Sequence, residues 1–300
     1  MSTYIIGEIG QNHNGSVDIA KLIVDLVSRP VREEVFNIEL RPMDAVKLTK
    51  RDLNEELTDS QMNRPYDSPH SFGRTYGEHR AFLELTDEEH FEVYRHAKSL
   101  GLDFVETLCS KGCLSLLKLF TPDRLKVASR DLTNLPLLEV MAETKIPIIL
   151  STGMANLGEI DEAVHILRDN GTQDLTLLKC TSAYPAPPEE VNLRTIPHMA
   201  TAFGCHVGLS DHTLGSAVAV AAVAVGATVL EKHFTLARAD GGPDSAFSME
   251  PDEFRQMVHD IRVAEKALGT VSYTLTDEQK RSVQSRPSLC IVKNIAKGQP

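Results

Sequence analysis

His212 and His233 each close a short apolar run, in the segments SDHT and EKHF. Paired imidazoles with water or substrate oxygens suit a divalent ion such as Mn2+, although either ring alone reads more simply as a hydrogen-bonded core or active-site histidine. Lys47 and Lys126 lie at the ends of two other apolar runs, and Thr107, Ser129, Ser151 and Ser210 lie at or just past further ones. Cations among hydroxyls hold a phosphate or carboxylate through charge-assisted and neutral hydrogen bonds. Glu8 and Asp131 add carboxylates able to orient water or move a proton. A lysine of lowered pKa on a strand would instead serve a Schiff-base aldolase, and Lys47, Lys126, Lys179 and Lys232 all qualify by position. Strand alternation marks Lys179 and Lys232 as outward or rim residues, but spacing alone leaves both chemistries open.

Gathering so many chain-distant groups requires a scaffold that brings strand ends together. Eight β-rich runs are expected, at 4–9, 45–48, 103–106, 124–127, 148–150, 175–179, 206–209 and 228–231. Amphipathic stretches lie between most of them, at 17–28, 87–101, 111–120, 135–144, 157–170, 192–203 and 216–225, and another follows at 251–268. Strand–helix alternation implies parallel strands with helical crossovers, and eight such units close into a (β/α)8 TIM barrel whose chemistry collects at the C-terminal strand ends. An open doubly wound sheet is the alternative, but GEIGQNHNG after the first strand is not the glycine pattern of a dinucleotide turn. A polar insertion at 51–84 carries Tyr66, Phe72, Tyr76 and Phe82, which favours an ordered loop over the ligand rather than a linker.

Composition narrows the partners. The 300-residue chain has a net charge of −11, a poor match for nucleic acid or anionic membranes. No apolar run is long enough to span a bilayer, and the first residues lack a signal peptide's basic start and apolar core. Five cysteines without a CxxC pair read as free thiols of a reducing, cytoplasmic setting.

The chain resembles the sialic acid synthases, which condense phosphoenolpyruvate with an N-acylated hexosamine. The resemblance is carried, in order, by IIGEIGQNHNGS, DAVKLTKRDL, RPYDSPHSFGRTYGEH, KVASRDLTNLPLL, ILSTGM, CTSAYP, VNLRTI, GLSDHTLG, LEKHFTL and GGPDSAFSMEP, and the insertion and CTSAYP look most like the animal-type members. It implies a catalytic barrel at 1–270, a linker at 271–286 and the start of a C-terminal antifreeze-like domain at 287–300. It implies that Glu8, Lys47, Lys126, Ser129 and Asp131 face substrate, with Glu8, Asp131 and Lys47 carrying the chemistry. Thr107, Ser151, Ser182 and Ser210 match the binding side, Tyr184 and Asp244 the amino-sugar contacts, and His212 and His233 the metal ligands, with Mn2+ preferred over Mg2+ or Co2+. A cytoplasmic homodimer acting on small molecules is the implied setting. Competing readings are another phosphoenolpyruvate-dependent or Schiff-base barrel and a non-catalytic sugar-phosphate binder; GGPD and CTSAYP argue against a different keto-deoxy acid as product.

Three departures from the family pattern stand out. Arg130 replaces the usual glycine between serine and acid, VKLTK stands where VKFQ is common, and RPVREEVFNIELRP lengthens the connection to the second strand. The chain also reaches Pro300 soon after the antifreeze-like domain would begin. The family's arginine donated from that domain across a dimer is therefore not located, and weak synthase activity is the expectation for this length of chain.

Overall fold

The β-rich runs are apolar on both faces because each strand has a barrel interior on one side and helices on the other. The computed structural model describes residues 2–33, 37–68 and 70–299. Glu34, Val35 and Phe36 of the lengthened connection, Pro69 of the insertion, Met1 and Pro300 lie outside the described residues.

Eight strands form a closed parallel barrel: β1 (Tyr4–Glu8), β2 (Ala45–Lys50), β3 (Asp103–Leu108), β4 (Arg124–Val127), β5 (Ile148–Ser151), β6 (Leu175–Cys180), β7 (His206–Asp211) and β8 (Val229–His233). All eight expected strands are present. Several run past their expected ends because polar residues such as Ser151, Cys180 and Asp211 continue the ladder. Outside lie α1 (Val17–Val27), α2 (Asp87–Ser99), α3 (Leu135–Glu143), α4 (Leu157–Asp169), α5 (Thr195–Phe203), α6 (Ala217–Ala224) and α7 (Pro251–Leu268). Ser16 caps α1 by accepting from the Ile19 N–H, and reciprocal Thr86–Glu89 and Asn156–Glu159 capping boxes start α2 and α4.

The stretch expected as a helix at 111–120 is a 3-10 helix, Gly112–Lys118. No side chain caps its start, and its buried residues Cys113 and Leu116 are three apart, the spacing that a three-residue turn stacks on one face. The lengthened connection after α1 forms an antiparallel pair, Val31–Glu33 with Ile38–Leu40, which the sequence reading did not foresee. The insertion after β2 folds into short helices Leu53–Glu56, Asp59–Met62 and Tyr76–Leu83. Its aromatics pack on one another: Phe72 stacks on Phe82 with centroids 4.6 Å apart, and Tyr66 meets Tyr76 edge-on at 5.5 Å.

Inside the barrel, alternation sorts the residues into layers. Ile6, Ala45, Val105, Ile149, Leu178 and Val229 form a buried apolar plug. Two residues further along their strands, on the same face, come Glu8, Lys47, Thr107, Ser151, Cys180 and Glu231. The plug therefore closes the bottom of a polar chamber. Leu268–Pro300 is a separate unit with a helix, Asp277–Ser282, inside the stretch expected to be a linker, and no strand among its described residues. Within PSLCIVKNIAKG, Leu289, Ile291 and Val292 are exposed. No helix among the described residues is long and apolar enough to cross a membrane.

Candidate active site

A cavity of about 520 Å³ opens at the C-terminal strand ends, a volume in the usual range for small-ligand sites. Of the catalytic, substrate-binding and metal-binding residues that the resemblance implies, all but Asp131 line it; Lys179, Lys232 and the insertion's Tyr66, Phe72, Tyr76 and Phe82 do not.

At its floor two lysines and two glutamates are buried together. Glu8 pairs with Lys47, which donates to Thr107 Oγ1 at 3.1 Å and lies 3.8 Å from Glu231 Oε2. Lys126 lies 3.5 Å from Glu231 Oε1, which also accepts from Ser210 Oγ at 2.9 Å. Burial pushes the Glu8 carboxyl up to about 7 against the pull of Lys47. Burial acts the same way on Glu231, but Lys126 and Lys47 outweigh it and hold that group near 2. Burial lowers Lys126, whereas Glu231 and Glu8 keep Lys47 above its ordinary value. Of the four lysines that qualified for a Schiff base by position, only Lys47 and Lys126 line the cavity. Lys179 donates to the Cys180 carbonyl at 2.9 Å, and Lys232 pairs with Asp211 on the outer face at 2.7 Å.

Hydroxyls surround this floor. Ser129 Oγ accepts from the Gly153 N–H at 3.0 Å, while Ser151 Oγ and Ser182 Oγ are buried without a hydrogen-bond partner. Gly153 is required by close approach: a Cβ there would stand 2.3 Å from Ser182 Oγ and 2.8 Å from Ser129 Oγ. Unmet buried hydroxyls beside two lysines suit an anionic ligand with several acceptor oxygens.

Across the mouth, His212 and His233 have ring centroids 5.5 Å apart. His212 Nδ1 faces the Thr181 carbonyl at 2.9 Å and therefore donates its proton there, which leaves Nε2 as the lone-pair nitrogen. His233 Nδ1 is buried with no hydrogen-bond partner and lies 4.0 Å from Asp244 Oδ2. Tyr184 packs on His212 at 4.2 Å, and Asp244 accepts from the Gln11 N–H at 3.1 Å. Two unused imidazole nitrogens fit a divalent ion that takes its remaining ligands from water or substrate. Among the described residues no three His, Cys, Asp or Glu side chains converge as a cage. All five cysteines are free. Burial raises the Cys180 thiol, but neighbouring His212 and Ser129 outweigh it and leave the group near 7.

Asp131 is a correction. It does not line the cavity. After β4 the chain makes a 3-10 turn, Ser129–Asp131, that presents Arg130 instead. Arg130 Nε then donates back to Asp131 Oδ2 at 3.2 Å. Sequence reasoning also missed Glu231, which alternation places on the face of His233, as well as Arg51 and Arg80, for which the sequence holds no comparable signal. Arg51 donates to Glu56 Oε2 at 2.9 Å, and Arg80 donates to Gln11 Oε1 at 2.8 Å from the helix Tyr76–Leu83 of the insertion.

The pattern of the NeuB family matches residues 40–273. The chain is 37% identical over 308 residues to the N,N'-diacetyllegionaminic acid synthase of Campylobacter jejuni, covering 99% of this chain and 87% of that one. It is 35% identical over 268 residues to the human N-acetylneuraminate-9-phosphate synthase, covering 89% of this chain and 71% of that one. The crystal structure of the N-acetylneuraminic acid synthetase of Leptospira borgpetersenii in complex with citrate superposes with a TM-score of 0.78 at 27% identity, covering 96% and 93% of the two chains. The resemblance read from the motifs is thus confirmed over most of the chain, and this protein belongs to the NeuB family, the sialic acid synthases.

Proposed function

We propose that the barrel joins phosphoenolpyruvate to the open-chain aldehyde of an N-acyl hexosamine, giving a nine-carbon 2-keto-3-deoxy acid and phosphate. The observation that carries this reading is the chamber itself: Lys47, Lys126 and unmet serine hydroxyls on the floor, with two unused imidazole nitrogens at the mouth. Lys47, Lys126, Thr107, Ser129, Ser151 and Ser210 bind the phosphate and carboxylate of phosphoenolpyruvate and turn its C3 toward the mouth. Holding two reactants in this way lowers the barrier by up to about 7–11 kcal/mol. Tyr184 and Asp244 hold the sugar at the histidine side. The new bond joins C3 to the aldehyde carbon, whose oxygen takes up a proton. Water adds to C2 and gives up a proton, for which Glu8 is the carboxyl at hand. The C2–O bond to phosphate then breaks and leaves the 2-keto group.

His212 and His233 would hold a divalent ion, Mn2+ in the first place, which when bound polarises the aldehyde as a Lewis acid. Phosphate release from phosphoenolpyruvate with Mn2+ and a panel of hexosamines tests the reaction: release must depend on an acceptor, and none with any acceptor overturns the reading. His212→Ala and His233→Ala are each expected to abolish Mn2+ binding in equilibrium dialysis with the barrel still folded. Unchanged stoichiometry in both removes the metal assignment. The lowered pKa of buried Lys126 favours one competing reading, a Schiff-base aldolase. A borohydride-trapped adduct on Lys126 would establish that chemistry instead.

A further inference from the structure

Arg51, Arg80 and Arg130 line the cavity besides the floor and the histidine side, and their charges are matched within the protein. Arg51 Nη1, at 2.9 Å, and Arg130 Nη2 donate to one oxygen, Glu56 Oε2, and Arg130 Nε donates to Asp131 Oδ2 at 3.2 Å. Burial raises the carboxyl of Asp244, in the same cavity, and the charges of Arg80 and Arg51 oppose that rise. Three guanidinium groups thus meet three carboxylates, Glu56, Asp131 and Asp244. Two buried atoms of the cluster lack hydrogen-bond partners, Arg51 Nε and Glu56 Oε1, one donor and one acceptor. With neither charge nor donors in surplus, the cluster is suited to holding parts of the protein together.

What it holds is the insertion. The first helix there, Leu53–Glu56, is four residues long and buries none of them, so neither helix length nor apolar packing fixes it. Polar bonds do. Glu55 Oε2 accepts from the Gly112 N–H at 2.7 Å, beyond β3, and Glu56 accepts from Arg130, in the turn beyond β4. Asp131, expected against substrate, instead holds the Nε of Arg130.

We propose that Arg130 is a positioning residue, a strut from the β4 turn to Glu56 that fixes the insertion and, through it, the acceptor side of the cavity. The proposal rests on the condensing reaction above. The path from strut to site is continuous. Glu56 also takes Arg51, whose backbone N–H donates to Glu84 Oε1 at 3.0 Å, at the far end of the insertion. Within the insertion, Gly77 of the helix Tyr76–Leu83 packs so closely on Met62 that a Cβ would stand 2.8 Å from the Met62 Cε. The same helix presents Arg80, which donates to Gln11 Oε1 at 2.8 Å, and the Gln11 N–H donates to Asp244 Oδ2 at 3.1 Å. The floor lies outside this path, since Lys47 and Lys126 are held by Glu8, Thr107 and Glu231. The strut is also a feature of this chain, since Arg130 stands where the family pattern has glycine.

The test uses the hexosamine of the panel that gives phosphate release. Arg130→Gly is expected to raise its KM about threefold to tenfold, a modest effect because the Arg130 side chain is 41% exposed. The change in kcat should be smaller, and calorimetric affinity for phosphoenolpyruvate without acceptor should stay as in the wild type. Hydrogen exchange of peptides spanning 51–64 should quicken, and Arg130→Lys should keep part of the wild-type behaviour in both readouts. Glu56→Gln should also raise KM, and the double variant should be no worse than Glu56→Gln alone, because both changes break one contact. Losses that add would mean that Arg130 touches the acceptor itself, and they overturn the strut. An unchanged KM in Arg130→Gly, or weakened phosphoenolpyruvate binding, overturns it too, with the condensation intact. If no acceptor releases phosphate, the condensation reading fails, and exchange decides the strut alone: an unchanged rate at 51–64 in Arg130→Gly overturns it.

Discussion

Lys126 shows how a single buried charge can be both unstable and useful. It is almost fully out of water, and its nearest counter-charge is Glu231 at 3.5 Å, an oxygen already shared with Ser210. Burial therefore lowers its pKa, and an incoming phosphate or carboxylate is what restores a full set of charge-assisted bonds. Lys126→Ala should weaken phosphoenolpyruvate binding by about 1.5–3 kcal/mol, the range for a hydrogen bond to a charged group. Titration calorimetry without acceptor reads this directly, and wild-type affinity in the variant would mean that the anion sits elsewhere. The same local view explains why Glu8 and Glu231, alike in type and burial, separate in acidity. Glu231 lies between both lysines and a serine hydroxyl, whereas Glu8 has Lys47 close by and otherwise mostly the cost of burial.

At the scale of elements, β7 and β8 carry the two imidazoles, and a bond on the opposite face of the same strand ends ties them together. Lys232 donates to Asp211 Oδ2, and Asp211 Oδ1 accepts from the backbone N–H and the hydroxyl of Thr213 at 2.9 and 2.8 Å. Each member of the pair immediately precedes a histidine, so the link fixes the strand ends from which His212 and His233 project. Lys232→Met keeps much of the volume but leaves Asp211 buried and unpaired, and should cost about 3–5 kcal/mol in urea unfolding. A loss well under that range would show that the pair contributes little to holding these ends. Strand positions and the cavity's inward residues were legible in the sequence because a barrel strand has a rigid period of two: once Glu8, Lys47 and Thr107 are placed inward, the rest of each strand follows. Glu231 obeyed the same rule, two residues before His233, and was readable in principle. Arg80 was not, because it is brought in by tertiary packing of the insertion, including cation–π contact with Tyr76 at 5.0 Å. Asp131 was misplaced because a tight turn, rather than strand alternation, sets its direction. The hairpin after α1 left one signal unread, Asn37 at a left-handed φ of 48°.

For the whole molecule, the loop after β1 links the barrel to acid stability through His13. Its ring is 3% exposed, and its Nδ1 accepts from the Gly15 N–H at 3.1 Å. Burial lowers its pKa to about 4, assisted by the charge of His90, a ring held against Glu106 at 2.9 Å. The folded chain therefore keeps His13 neutral where the unfolded chain would protonate it. For a base depressed on folding, the stabilisation is complete above the unfolded value near 6.5 and is lost as pH falls through that value toward 4, below which no further loss comes from this group. A shift of that size corresponds to about 3 kcal/mol. Asparagine at this position offers an acceptor for Gly15 but cannot titrate. His13→Asn is expected to be less stable at neutral pH, since the smaller side chain leaves space in the core, yet its unfolding free energy should fall by about 3 kcal/mol less than that of the wild type between pH 7 and pH 4. Urea unfolding at half-unit pH steps measures both slopes under one protocol. Parallel slopes would mean that His13 is not the group whose protonation opens the barrel in acid.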